Sequence, residues 1–232
     1  MDKTCWLRKR GVKEQGKPLR VSVGLAGLAG SGLVSGDSVC YGEIGKGIFA
    51  VVLSDGMGSG RRAKRESELI VQTVEHLLRA GYSPPLALQI TNAVMVYRAG
   101  RGEECYSSLD LALIDLQTGN LQLYKTGASL TLIRRGNQLD VVMLPSLPMG
   151  VVGDLPVPSW NHRLRTGDQL ILLSDGIAEA GRRQGIRWLK DEIFDQTSSD
   201  PCAAAEHLLH RARTVMGGKE KDDMTAVVLV VQ

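Results

Sequence analysis

Three short segments of this 232-residue chain set carboxylates at the ends of apolar runs. Ser54-Asp55-Gly56-Met57-Gly58-Ser59-Gly60 follows the run at 48–53, and Ser174-Asp175-Gly176 follows Leu170-Ile171-Leu172-Leu173. Asp222-Asp223-Met224-Thr225 opens the last apolar run. Aspartates at the rims of strands suit hard divalent cations, which take oxygen ligands and keep several waters. Left alone, three converging carboxylates would raise one another's pKa. A pair of dications reverses that sign and makes a site that welcomes phosphate. In such sites the ions sit roughly 3.5–4 Å apart and lower the pKa of a shared water. Glycine after the aspartate lets the backbone turn sharply and can bring its carbonyl to the metal.

Each segment also has a plainer reading. An Asp-Gly after a strand is commonly just a turn, and Asp222-Asp223 alone suits a solvated loop. The glycine loop 56–60 could cradle a nucleotide phosphate ahead of a helix. It lacks the lysine of G-x-x-x-x-G-K-[ST] and does not complete G-x-G-x-x-G. The four histidines make no metal set: His207 and His210 are three apart on a predicted helix, with no further ligand near. Cys5, Cys40, Cys105 and Cys202 are scattered, without a C-x-x-C pair or a C-x₅-R loop, so they are expected to be reduced, mostly buried thiols.

The elements that must position these aspartates follow from periodicity and turn chemistry. Strands are expected at 20–27, 38–43 and 48–54. After Gly60, Leu69, Ile70, Thr73, Val74, Leu77 and Leu78 form one helical stripe, and Gly81 sits where a C′ glycine would end it. Ser83-Pro84-Pro85 offers an N-cap serine and a proline for the first position of a second helix, which runs to about Tyr97. This helix is apolar on more than one face, with Leu86, Leu88, Ile90, Ala93, Val94, Met95 and Val96.

Downstream, hairpins are expected for 107–116 with 121–126, for 130–135 with 139–144, and for 160–165 with 169–174. The last of these turns through Thr166-Gly167-Asp168. Helices at 186–195 and 201–216 and a strand at 224–231 complete the chain. Strands in hairpins and helices in consecutive pairs predict one α+β domain with antiparallel sheets, not βαβ alternation.

Composition agrees. At 43% hydrophobic the chain can build a core, and at 4% aromatic that core must be aliphatic. No apolar run approaches the ~18 residues of a membrane span, and no signal peptide opens the chain, so a cytoplasmic protein is expected. Residues 1–20 carry seven Lys or Arg against Asp2 and Glu14, a net +5 in a chain of net +3. Residues 1–19 read as a basic arm or linker and 20–232 as the domain. Without an aromatic or heptad pattern, the arm does not argue for nucleic acid.

Together, in this order, the motifs resemble the type 2C, metal-dependent (PPM) protein phosphatases, in the bacterial branch typified by stage II sporulation protein E. The matching segments are Ser35-Gly36-Asp37, Ser54-Asp55-Gly56-Met57-Gly58, Ser107-Ser108-Leu109-Asp110, Lys125-Thr126-Gly127-Ala128, Leu147-Pro148-Met149-Gly150, Ser174-Asp175-Gly176 and Asp222-Asp223-Met224-Thr225. They run in family order from about residue 20 to the C-terminus.

The resemblance implies an αββα sandwich and a protein serine/threonine phosphatase using two divalent ions, Mn²⁺ or Mg²⁺. It implies that Asp55 bridges both ions, with the Gly56 carbonyl on one, and that Asp175 and Asp222 complete the other. Asp37 would act through metal-bound waters. Asp223 takes the family's neighbouring Asn position and supports the set from behind. The implied mechanism is direct attack by a metal-bridging hydroxide, with no phosphoenzyme. One departure is plain: Ser35-Gly36-Asp37-Ser38 lacks the phosphate-gripping arginine of animal members, which leaves Arg61 and Arg62 as candidates by proximity.

For the sporulation branch the implied substrate is a phosphorylated anti-anti-sigma factor. The branch usually carries this domain behind membrane-spanning and regulatory segments, so the chain is also readable as the cytoplasmic domain of a longer membrane-anchored protein. The resemblance implies that the helices over 61–99 switch the metal loop. The surplus apolar surface, with Leu88 and Met95 named for it, suggests a homodimer through them. A non-catalytic docking module of the same fold is the alternative, and loss of a metal aspartate would mark it. Asp55, Asp175 and Asp222 are all present.

Overall fold

The computed structural model describes residues 18–232 apart from 31–32, 59, 103–105, 182–185, 197 and 218–221. The basic arm expected over 1–19 lies almost wholly outside the described residues.

The chain runs β1 (Val21–Leu28), β2 (Asp37–Gly45), β3 (Ile48–Asp55), α1 (Gly60–Arg79), α2 (Pro84–Ala99), β4 (Leu109–Asp115) and β5 (Asn120–Thr126). It continues through β6 (Thr131–Arg135), β7 (Gln138–Val142), β8 (Ser159–Arg163), β9 (Gln169–Leu173) and α3 (Asp175–Ala178). It ends with α4 (Arg187–Asp195), α5 (Pro201–Met216) and β10 (Met224–Val231). One sheet has the order β1-β10-β9-β6-β7 and the other β2-β3-β4-β5-β8, with every pairing antiparallel.

The layering follows from alternation along strands buried on both faces. In β3, Val51 and Leu53 join the core between the sheets, while Ala50 and Val52 face α1 and α2. In β10, Val227 and Leu229 point between the sheets, and Ala226 and Val228 point at α4 and α5. The result is the expected αββα sandwich with three apolar cores. α5 shows its signals locally: the Asp200 side chain caps the Cys202 N–H at 3.1 Å, Pro201 opens the helix, and Gly217 closes it at φ 68°. Ser83 takes the N-cap position of α2 but makes no side-chain cap bond.

Two expectations fail. The strands at 160–165 and 169–174 do not pair with each other: β8 joins β5, whereas β9 lies between β10 and β6 in the other sheet. The intervening turn passes between sheets. Gly167 N–H donates to the Val231 carbonyl at 2.8 Å, and the buried Asp168 carboxylate takes Arg135 from β6 at 2.8 and 2.6 Å. Turn residues mark a reversal without naming the partner. Secondly, Leu88 and Met95 are fully buried against the sheet, so they are not free apolar surface. Leu86, Val94 and Tyr97 form the exposed side of α2 instead.

Among the described residues, no helix is long and apolar enough to cross a membrane. Cys40 and Cys202 are free thiols, but Cys40 is half-buried and Cys202 exposed, not the buried thiols expected, while Cys5 and Cys105 lie outside the described residues. His207 bonds Glu192 at 3.2 Å between α5 and α4, a surface contact and not a ligand set.

Candidate metal centre

Antiparallel register brings the first two aspartates together. Asp37 opens β2, Asp55 closes β3, and the two are direct cross-strand partners. Like charges opposite each other destabilise a sheet unless something compensates them. The second sheet supplies the rest from its own rim. β9 ends beside the start of β10, with Ser174 N–H donating to the Thr225 carbonyl at 2.9 Å and Thr225 N–H to Ser174 Oγ at 2.8 Å. That pairing sets Asp175, the first residue of the short α3, beside Asp222 and Asp223.

The glycines allow close approach. A Cβ on Gly176 would stand 2.2 Å from the Asp223 carbonyl, so this Asp-Gly can only be a glycine while α3 abuts β10.

Electrostatics separate the aspartates by role. Asp37 is 5% exposed and its pKa rises to about 6, first through burial and further through Asp223. Thr225 and Ser174 temper that rise without closing a hydrogen bond to either carboxylate oxygen. Asp55 is pushed up to about 10 by burial first and then by the charges of Asp37, Asp175 and Asp222. Asp175 moves up for the same two reasons, burial and then Asp222. Both oxygens of Asp37 and Oδ1 of Asp175 are buried without a partner, which native structures rarely leave uncompensated.

Asp223 differs. Its two oxygens accept from Gly30 N–H at 2.8 Å and Gly36 N–H at 2.5 Å, so the carboxylate pins the β1–β2 connection that leads to Asp37. Asp222 is exposed, and its Oδ1 takes the Asp223 N–H at 3.0 Å.

Among the described residues, no group of three or more His, Cys, Asp or Glu side chains is arranged to hold one ion. Mg²⁺-type ions need none, since each is held by one or two carboxylates and several waters. The splayed, charge-coupled aspartates with their orphaned oxygens suit that kind of binding.

Several supporting residues had no assigned role in the sequence reading. Ser107 Oγ donates to the Asp55 carbonyl at 2.6 Å, and Ser107 is bridged to both Gly56 and Met149. Lys64 on α1 donates to the Asp37 carbonyl at 2.7 Å, and Ser67 Oγ donates to the Gly36 carbonyl at 2.5 Å. On α2, Asn92 Oδ1 accepts Gly150 N–H at 2.9 Å, next to Met149. Both helices thereby reach the segments that carry or adjoin Asp37 and Asp55. The sequence signal for Lys64 and Ser67 was their i, i+3 spacing just past the glycine loop. Arg61 and Arg62 stand exposed on the first turn of α1.

The family model described as stage II sporulation protein E (SpoIIE) matches residues 45–232. Stage II sporulation protein E of Bacillus subtilis (strain 168) is 36% identical over 216 residues, covering 92% of this chain and 26% of that protein. The chain thus spans about a quarter of the length of that curated relative. The structure of the PP2C phosphatase domain of B. subtilis SpoIIE with a fragment of its regulatory domain superposes with TM-score 0.83 at 36% identity, covering 91% of this chain and 63% of that one. RsbX in complex with magnesium shares the fold alone, with TM-score 0.70 at 15% identity, covering 94% of this chain and 98% of that one. The chain therefore belongs to the stage II sporulation protein E family and corresponds to its PP2C phosphatase domain.

Proposed function

We propose that this chain hydrolyses phosphoserine or phosphothreonine on a regulatory protein, with two divalent cations held by Asp55, the Gly56 carbonyl, Asp175 and Asp222. The observation that carries this reading is the pair of buried, unpartnered oxygens of Asp37 beside a strongly perturbed Asp55. Only cations neutralise such a group without protonating it. Asp37 acts through waters on the ions, and Asp223 acts as the backbone pin described above. Bound there, the ions supply charge neutralisation of the phosphoryl oxygens and a water acidic enough for in-line attack. The chain itself orients the carboxylates: Ser107 fixes the Asp55 backbone, and Lys64 and Ser67 fix that of Gly36-Asp37. Mn²⁺ and Mg²⁺ share these ligands, and the magnesium named for RsbX supports the latter.

The substrate is a phosphorylated anti-anti-sigma factor, a reading supported by the family rather than by any surface of this chain. Residues 20–232 are the phosphatase unit and 1–19 a linker to upstream membrane or regulatory segments, in keeping with the greater length of the B. subtilis relative. α1 and α2 act as a switch that presents or withdraws the metal loop. The hydrogen bonds from Lys64, Ser67 and Asn92, and the Arg98–Glu66 pair at 3.1 and 3.2 Å that ties the helices, support this role. Dimerisation through the exposed side of α2 is the corresponding assembly.

The decisive experiment is hydrolysis of p-nitrophenyl phosphate and of a phosphoserine protein, with Mn²⁺ titrated, for the parent and Asp55→Asn. Metal-dependent turnover that the substitution abolishes in a folded protein supports the reading. A folded Asp55→Asn protein with parental turnover would remove it.

A further inference from the structure

Lys125 sits at the end of β5, one residue before its last, with no exposed surface. Its ammonium has three protons, and all three are used: on Asp110 Oδ2, on the Ser129 carbonyl at 2.6 Å and on Thr131 Oγ1 at 2.7 Å. The Thr131 hydroxyl in turn donates to the same Asp110 Oδ2 at 2.6 Å. Asp110 and Lys125 are cross-strand partners in one sheet, while Thr131 belongs to the other. The cluster therefore straps the two sheets together and locks the Asp110 carboxylate in one orientation.

That lock leaves Asp110 Oδ1 buried with no partner, in a side chain 2% exposed. Asp110 also lines a cavity of about 40 Å³ together with Asp55, Ser108, Ser129 and Asp175. Asp175 Oδ1 is the second orphaned acceptor of a residue on this cavity wall. A water needs roughly 10–15 Å³ and two to four polar partners, so the cavity has room for one. A single water has two protons for the two orphaned oxygens. Stability alone does not call for this arrangement, because an apolar pair of similar volume is often as good as a buried ion pair.

We propose that Asp110, clamped by Lys125 and Thr131, is a positioning residue of the metal centre. Its Oδ1 accepts one proton of a water in this cavity, the water donates its other proton to Asp175 Oδ1, and the orientation of Asp175 is set through that bridge. Asp110 touches neither metal nor phosphate. The consequence for catalysis rests on the phosphatase reading above, whereas the bridge itself does not.

The test uses the Asp110→Leu/Lys125→Met double variant, which removes the pair while keeping the site apolar and filled. Calorimetric titration with Mn²⁺ is expected to show affinity weakened about tenfold, the low end for loss of a group supporting a metal ligand. The kcat of the folded variant should fall with KM unchanged. A folded double variant that binds Mn²⁺ as the parent does would overturn the proposal. Should the variant not fold, a high-resolution crystal structure of the parent decides: density for a water bonded to both Oδ1 atoms supports the bridge, and its absence overturns it. A parent that shows this water but hydrolyses no phosphomonoester would remove the phosphatase reading and leave the bridge standing.

Discussion

Gly56 packs so tightly on α1 that a Cβ added to it would stand 2.1 Å from the Ala63 carbonyl oxygen. No side chain fits there unless the helix or the Asp55-Gly56 loop moves. The residue after Asp55 is thus a glycine for reasons of contact as well as turning. It also makes the position of α1 and that of the Asp55-Gly56 loop one variable.

Gly56→Ala is therefore expected to displace the loop from α1. A misplacement of about 1 Å can reduce turnover about 100-fold, and a loss of that size is predicted for Mn²⁺-dependent hydrolysis. Mn²⁺ affinity measured by calorimetry should weaken in parallel. Parental kinetics in a folded Gly56→Ala protein would show that loop and helix move independently.

The two adjacent acids before β10 should separate cleanly. Asp222→Asn removes an exposed carboxylate and is expected to leave stability within about 0.5 kcal/mol while abolishing metal-dependent turnover. Asp223→Ala deletes the acceptor for Gly30 and Gly36 N–H. Hydrogen bonds to a charged group contribute about 1.5–3 kcal/mol each, so a loss of several kcal/mol is expected in urea unfolding. Equal effects from both variants would merge the roles assigned here.

Without metal, stability should fall as pH rises. Folding raises Asp55 from 3.8 to about 10 and Asp37 from 3.8 to about 6, so the native state binds more protons than the unfolded chain across those intervals. Stability then declines with pH wherever the native state holds the excess. The full contribution is present below about pH 4 and is lost as pH rises through the folded values. Saturating Mn²⁺ replaces those protons and should flatten the slope, with proton release on binding seen by calorimetry in two buffers. A metal-free protein that melts higher at about pH 8 than at about pH 5 would contradict the sign.

The two sides of α2 should respond differently. Leu88→Ala empties a fully buried position and is expected to cost about 2–5 kcal/mol. Leu86→Ser and Tyr97→Ser alter exposed side chains and should leave the melting temperature nearly unchanged. If that side forms the dimer, light scattering should show the parent at twice the mass of the Leu86→Ser/Tyr97→Ser protein. A parent that stays monomeric at high concentration in every metal condition would rule the dimer out.

Most elements and the aspartate motifs were legible in the sequence because their causes are local. The stripe from Leu69 to Leu78 declares a helix by its period, and Pro201 to Met216 lies between its own capping residues. Asp-Gly at the end of an apolar run marks a strand rim whatever the strand later pairs with. Kinship with a known family then ordered these signals into a site. Other features were decided only by pairing between distant segments. Thr166-Gly167-Asp168 looks like any hairpin turn until Arg135 and Val231 bind it from the opposite sheet. Leu88 and Leu86 are the same residue type two positions apart, and only the sheet beneath α2 makes one core and the other surface. Lys125, in sequence only the first residue of the Lys125-Thr126-Gly127-Ala128 motif, gained its meaning from Asp110, Ser129 and Thr131, which meet it across both sheets. Periodicity and turn propensity act over a few residues, whereas sheet membership, burial and charge pairing depend on which distant strands come together.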